Sequence, residues 1–182
     1  MSMRIILCAF DGALAVAWDK ALAGMRALPE SADAVLERIS GDITTLTVTA
    51  VVSPANSHGY MRGGVDLAYT RRFGEQLEAS LRRKIAALPG GLLPVGEALV
   101  VETNDAAIPY LISAPTMERP MRLENAEPVC AATKAAMLAA LDGGFESVAF
   151  PGMGTGTGGL DMYEAASAMV AGIEEAIRMR HE

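Results

Sequence analysis

Five glycines fall within eight positions, Gly152 to Gly159, in the stretch SVAFPGMGTGTGGLD from Ser147 to Asp161. The apolar run Val148, Ala149, Phe150 before them stops at Pro151, and a helical pattern begins near Met162, so the order is strand, loop, helix. Closely spaced glycines let the backbone reach φ > 0 and let a ligand touch the main chain. Amides converging in such a loop, beside the positive end of the following helix, suit phosphate oxygens. No Lys or Arg lies between Phe150 and Met169, so any phosphate here is held mainly by backbone N–H groups. A tight strand-to-helix connection also needs glycines. The run GMGTGTGG matches neither G-x-x-x-x-G-K-[ST] nor a clean G-x-G-x-x-G, and alone it leaves both readings open.

A second loop, SPANSHGYMRGG from Ser53 to Gly64, has no hydrophobic periodicity and is expected to be irregular and on the surface. His58 has no partner at a catalytic or metal-binding spacing and reads as a surface loop residue, and His181 as a terminal one. Cys8 and Cys130 sit in apolar segments far apart and read as reduced core thiols. Nothing has the ligand spacing of a metal site or a sequence-level Ser–His arrangement, so neither metal nor cofactor is expected.

The elements that would position these loops follow from periodicity. Arg4 to Phe10 is an apolar run expected to be a strand buried on both faces. A helix follows to about Leu28, then strands over Ala34 to Ile39 and Ala50 to Val52. From Val65 to about Leu88, Tyr69, Phe73, Leu77 and Leu81 recur every fourth position, which predicts one amphipathic helix. Gly96 to Glu102 and Pro109 to Ala114 read as a hairpin-like strand pair, and Val129 to Leu141 as a helix with Gly143 and Gly144 at its end. The last helix runs from about Tyr163 to Arg180. About six strands interleaved with four helices predict an α/β fold, a three-layer α/β/α sandwich with a central mixed sheet. Both glycine-containing loops come after strands and before helices, where sheets of this class bind ligands.

The chain has 182 residues, enough for one domain over 1–182 with a sizeable core. A net charge of −7 argues against nucleic acid or anionic lipid as partner. No run approaches the ~20 apolar residues of a membrane span, and the N-terminus lacks a signal-peptide pattern, so a cytoplasmic protein is expected.

Three segments together resemble the macro domain family (the Appr-1''-p processing type), whose members bind ADP-ribose. They are Gly41-Asp42-Ile43-Thr44, matching G-D-[IV]-T; Ser53-Pro54-Ala55-Asn56 with Gly63-Gly64-Val65-Asp66 beyond it, matching N-x-A-N and G-G-V-D; and the glycine-rich loop at Gly154 to Gly159. The resemblance spans roughly Val35 to Ile177. It implies that Asp42 accepts from the adenine amine with the Ile43 amide helping, which suits an acceptor-only carboxylate; otherwise Asp42 caps a turn. It implies that Asn56 bonds the distal ribose; otherwise Asn56 makes an Asx-turn. Gly63, Gly64 and Val65 would offer amides from one side, and Gly154, Thr155, Gly156, Thr157, Gly158 and Gly159 would wrap the diphosphate from the other. Asp66 would assist a water beside the distal ribose, brought there by a Gly63-Gly64 hinge; otherwise it serves the helix start. An Asp there is expected to be ionised unless it is buried.

Two departures stand out: Ser53 replaces the first Asn of N-x-A-N, and the aromatic that many members carry in the glycine loop corresponds to Gly158, with Tyr60 a candidate replacement ring. The resemblance implies a protein that binds ADP-ribose or an ADP-ribosylated substrate. It leaves open hydrolysis at the distal ribose (de-ADP-ribosylation or O-acyl-ADP-ribose deacylation), a non-catalytic reader, and a structural module that keeps only the fold.

Overall fold

The computed structural model describes residues 2–181. Six strands, β1 (Met3–Ala9), β2 (Ala34–Ser40), β3 (Ala50–Ser53), β4 (Leu99–Glu102), β5 (Tyr110–Ser113) and β6 (Ser147–Phe150), form one sheet in the order β2-β1-β6-β3-β5-β4. All neighbours pair in parallel except β4 and β5, which are antiparallel. The sheet is therefore mixed, and the apolar runs of the sequence occupy its middle. Ile5 to Ala9 are buried, as a strand covered on both faces requires.

Helices cover the two faces. Helices α1 (Gly12–Ala23), α4 (Glu127–Asp142) and α5 (Met162–His181) pack Trp18, Met137, Met169 and Ile173 against Ile5, Leu7, Val148 and Phe150. On the other face, α2 (Gly64–Phe73) and α3 (Gln76–Ala86) pack Tyr69, Phe73, Leu77 and Leu81 against Ile6, Cys8, Val51 and Leu111. This is the expected three-layer sandwich. Cys8 is a free thiol pushed up to about 11 by burial and by the nearby charge of Asp42.

The described residues form five α-helices, not four. The single helix expected from Val65 to Leu88 breaks at Gly74, whose φ of +92° no helix accommodates, although its N–H still bonds Thr70 O at 2.8 Å. The fourfold spacing of Tyr69, Phe73, Leu77 and Leu81 runs through the break because α2 and α3 bury the same core cluster. Periodicity therefore conceals the kink. The loop from Ser53 to Gly64 also differs from expectation, since Ser53, Ala55, Asn56, Ser57, Gly59 and Met61 are buried. Its backbone groups find partners in Met117, Leu93, Glu78 and Thr70, which is how an irregular segment survives burial.

Five parallel strands place their C-terminal ends on one edge. Phe10, Asp42, Pro54, Ala114 and Pro151 all follow directly or closely upon those ends. No described helix is long and apolar enough to cross a membrane.

Helices α4 and α5 meet at Gly172, where a Cβ would lie 2.6 Å from Cys130 O and 3.0 Å from Lys134 N. Alanine in a helix interior gains ~0.5–1 kcal/mol over glycine, but the overlap is with backbone and forces the helices apart at a cost of typically ~1–3 kcal/mol. Gly172→Ala is thus expected to destabilise the fold by about 1–2 kcal/mol in urea denaturation. A stabilised variant would show that α4 and α5 can separate freely.

Candidate functional site

A cavity of about 650 Å³ opens over the C-terminal ends of β6, β3 and β5. Its walls come from three connections: Pro54 to Asn56, Tyr60 and Arg62 to Asp66 after β3; Thr116, Met117 and Pro120 after β5; Gly152 and Gly154 to Gly158 after β6. The two glycine-containing loops of the sequence face each other across it.

The helix start at this cavity is α2. Gly63 is its N-cap and has no side chain to accept from the first turn, while Gly64 takes φ +55° to begin the helix. The amides of the first turn, Gly64 to Asp66, remain available, and the dipole favours an anion there. Gly63 and Gly64 thus form the start of α2. The opposite holds for α5, which was expected to lend its positive end to the glycine loop. Asp161 caps it, accepting at 3.1 Å from both Tyr163 N and Glu164 N, so these two first-turn amides are already taken.

Within the glycine loop, Leu160 N bonds Gly154 O at 3.1 Å and Gly159 N bonds Gly156 O at 3.0 Å. The amides of Gly154 to Gly158 have no partner among the described residues. Gly156 faces open space, whereas a Cβ at Gly158 would meet Gly154 O at 2.6 Å. Gly158 is buried, and no aromatic fits at that position in this loop. The loop 119–123 is tied alongside by Leu123 N bonding Gly158 O at 2.9 Å.

Asp66 is buried and lies in the first turn of α2. Ser53, the last residue of β3 and wholly buried, donates its Oγ–H to Asp66 Oδ1 at 2.5 Å. Burial pushes the Asp66 carboxyl up to about 7; the Ser53 hydrogen bond pulls the other way and the charge of Glu78 adds to the rise. Burial, the stated exception to an ionised Asp66, is what the structure shows. Ser53, a departure from the motif, is also the residue that holds Asp66, and nothing local could reveal a contact 13 positions apart.

Asn56 lines the cavity but binds its own loop. Its Oδ1 accepts from His58 N at 3.1 Å and Tyr60 N at 3.4 Å, and its Nδ2 donates to Tyr60 O at 3.1 Å. The Asx-turn is present, with one Nδ2 hydrogen left over. Tyr60 stands at the rim between Arg62 and Arg82, whose guanidinium carbons lie 4.6 and 4.1 Å from its ring centre. His58 Nε2 is buried without a partner among the described residues.

Asp42, Ile43 and Gly159 do not line this cavity. Asp42 is exposed at the end of β2, where its Oδ1 accepts from Thr44 N at 2.9 Å and Thr44 Oγ1 at 2.7 Å, so it does cap a turn. Its other oxygen is uncommitted. From β2 to β3 is three strand spacings, about 14 Å, and along that edge lies Phe10, 84% exposed after β1. The sequence concealed Phe10 because it ends a continuous apolar run. Arg62 and Arg122 were also missed: Arg62 lines the cavity, and Arg122 packs over Gly159, within 3.2 Å of where a Cβ would be.

The Macro domain profile matches residues 52–169 of the chain, from β3 through the glycine loop into α5. The chain belongs to the macro domain family. A protein of uncharacterised function from Aquifex aeolicus is 39% identical over 137 residues, 75% of this chain and 79% of that protein. The Klebsiella pneumoniae protein named O-acetyl-ADP-ribose deacetylase is 33% identical over 136 residues, 74% of this chain and 76% of its own length. Among solved structures, the Oceanobacillus iheyensis macrodomain with ADP has a TM-score of 0.66 at 24% identity and covers 76% of this chain and 74% of its own. The macrodomain of Mycobacterium tuberculosis DarG has a TM-score of 0.65 at 24% identity, covering 75% and 88%. These structures share the macro domain fold.

The raised carboxyl of Asp66 has a consequence for stability. The folded protein holds the proton more tightly than the unfolded chain, so the contribution is fully present below about 4 and lost as pH rises through about 7. Asp66→Asn keeps the shape and removes the titration. Between pH 4.5 and 8 the variant should gain on the wild type by ~3 kcal/mol in urea denaturation. A pH-independent difference would place the Asp66 carboxyl in its ordinary range.

Proposed function

We propose that this macro domain binds ADP-ribose or a derivative along the edge from Asp42 to Asn56, and hydrolyses an ester at the distal ribose. One observation carries the reading: the open first turn of α2, the unpartnered amides of the glycine loop and the buried Asp66 converge on one cavity. The name of the Klebsiella pneumoniae relative agrees with it.

The diphosphate lies between α2 and the glycine loop, where backbone N–H groups meet it from two sides. Adenine lies toward β2, its amine donating to the free oxygen of Asp42 and its ring against Phe10, an exposed aromatic with a face to offer. The distal ribose occupies the end bounded by Asn56 and Asp66. Ser53 holds one Asp66 oxygen, and the other takes a proton from water as that water bonds the acyl carbon. The proton passes to the ribose oxygen as the ester C–O bond breaks, giving the free acid and a ribose hydroxyl. A carboxyl near 7 is suited to both transfers. A non-catalytic reader is the second reading, favoured by the Asn56 side chain, whose bonds are nearly all spent on its own loop.

In calorimetric titration the wild type should bind ADP-ribose, and Asp42→Ala should weaken it by ~1–3 kcal/mol. Gly156→Val, whose side chain enters open space without disturbing the fold, should abolish binding. Release of acetate from O-acetyl-ADP-ribose should rise with pH through about 7, as Asp66 loses its proton, and fall ~10²–10⁴-fold in Asp66→Ala. Tight binding without turnover would favour the reader; no binding at millimolar ligand would sink both.

A further inference from the structure

Ser113 is wholly buried, and its Oγ has no hydrogen-bond partner among the described residues. Folded proteins seldom leave a buried hydroxyl unpaired, and those that do so tend to do it near a working site. Ser113 ends β5 as Ser53 ends β3, and the two are register partners on parallel strands, with main chains about 4.8 Å apart. The pairing holds beyond them, since Ala114 N donates to Ser53 O at 2.9 Å. Two residues earlier the partners are Val51 and Leu111, which both pack in the core under α2 and α3. By the twofold period of a strand, Ser53 and Ser113 point to that same face, from which Ser53 reaches Asp66. On its other side Ser113 is the register partner of Leu99, whose side chain is apolar.

A hydroxyl gives one hydrogen bond and can accept two. Ser53 spends its proton on Asp66, and no described donor reaches its oxygen. Ser113 has the complementary lack, a proton without an acceptor, one strand away. A change of staggered χ1 well turns a serine oxygen toward the neighbouring strand. What favours the turn is charge on Asp66, because a carboxylate polarises the Ser53 hydroxyl and makes its oxygen a better acceptor.

The other groups around Asp66 do not help it to ionise. Glu78 on α3 opposes ionisation, and Arg62 is paired with Glu78 at 3.2 Å. The Tyr69 phenol on α2 is pushed well up by burial and by the charges of Asp66, Cys8 and Asp42, and the Cys8 thiol on β1 is pushed up to about 11 by burial and Asp42, so both stay neutral near pH 7. The Ser53 bond alone favours the carboxylate.

We propose that Ser113 is a positioning residue for Asp66: as the carboxyl ionises, the Ser113 hydroxyl turns to donate to Ser53 Oγ, and the chain from Ser113 through Ser53 to Asp66 steadies the carboxylate. Its use in ester hydrolysis rests on the reading of Asp66 as the base, but the chain itself does not.

The test is to follow the ¹³C-labelled side-chain carboxyl of Asp66, identified by its loss in Asp66→Asn, by NMR from pH 4.5 to 9 in wild type, Ser113→Ala and Ser113→Thr. Ser113→Ala should lower the acidity constant of Asp66 about 5-fold, while Ser113→Thr, which keeps a hydroxyl and suits a strand, should change it less than about 2-fold. A folded-state carboxyl pushed further up loses its stabilising effect as pH rises, so between pH 5 and 9 Ser113→Ala should also lose about 5-fold in folding equilibrium constant relative to the wild type. If Asp66 is the base, the acetate-release profile of Ser113→Ala moves up in pH by the same factor. An unmoved Asp66 midpoint in Ser113→Ala would overturn this inference and leave the ADP-ribose reading intact. Equal shifts in the Ala and Thr variants would assign the effect to packing and overturn it too. The expected midpoint shift in a protein that releases no acetate would uphold the chain and sink ester hydrolysis alone.

Discussion

The hydrogen bond from Ser53 to Asp66 joins the end of β3 to the first turn of α2, and the geometry of the site depends on it. One turn further on, the Tyr69 hydroxyl donates to Val52 O at 2.9 Å and ties α2 to the same strand a second time. An unpaired carboxylate at that depth would be costly, and the protonated form still offers Ser53 an acceptor oxygen. With the Ser53 bond, the pair is compatible with burial beside the cavity that Asp66 lines. The same burial that steadies the helix raises the carboxyl to about 7, so position and chemistry have one physical origin.

Helices α2 and α5 both begin at this edge of the sheet, and their caps differ. A carboxylate at an N-cap stabilises a helix by satisfying its free amides, and in doing so removes them from use. Asp161 does this for α5. Gly63 leaves α2 open, at a cost to the helix that its packing against the sheet offsets. The glycine loop then completes the cradle from the opposite side with main-chain groups alone, and the cations, Arg62 and Arg122, stand at the periphery.

Much of this was legible in the residues. Continuous apolar runs marked the central strands, and glycine spacing marked both walls of the cavity. The family motifs marked Asp42, Asn56 and Asp66, although only the last two line the cavity. The break at Gly74 was concealed because two helices bury one face in one register. The cap on α5 was readable, since Asp161 followed by Glu164 is an N-terminal signature, but the glycines beside it suggested an open helix end. The burial of the loop from Ser53 to Met61, the grip of Ser53 on Asp66 and the arginines around Tyr60 are tertiary facts. They rest on contacts such as Ser53 with Asp66, Tyr60 with Arg82 and Ser57 with Met117, which no local pattern encodes.

We propose that an anion is held between the open start of α2 and the glycine loop, with α5 taking no part. Amide proton–nitrogen correlation spectra recorded during titration with ADP-ribose test this most directly, because each backbone N–H reports separately. The result expected is that Gly64, Val65 and Thr155 to Gly158 shift together and saturate at one affinity, while Tyr163 and Glu164 stay where they are. Shifts led by Tyr163 and Glu164, or a glycine loop unmoved at saturation, would contradict it.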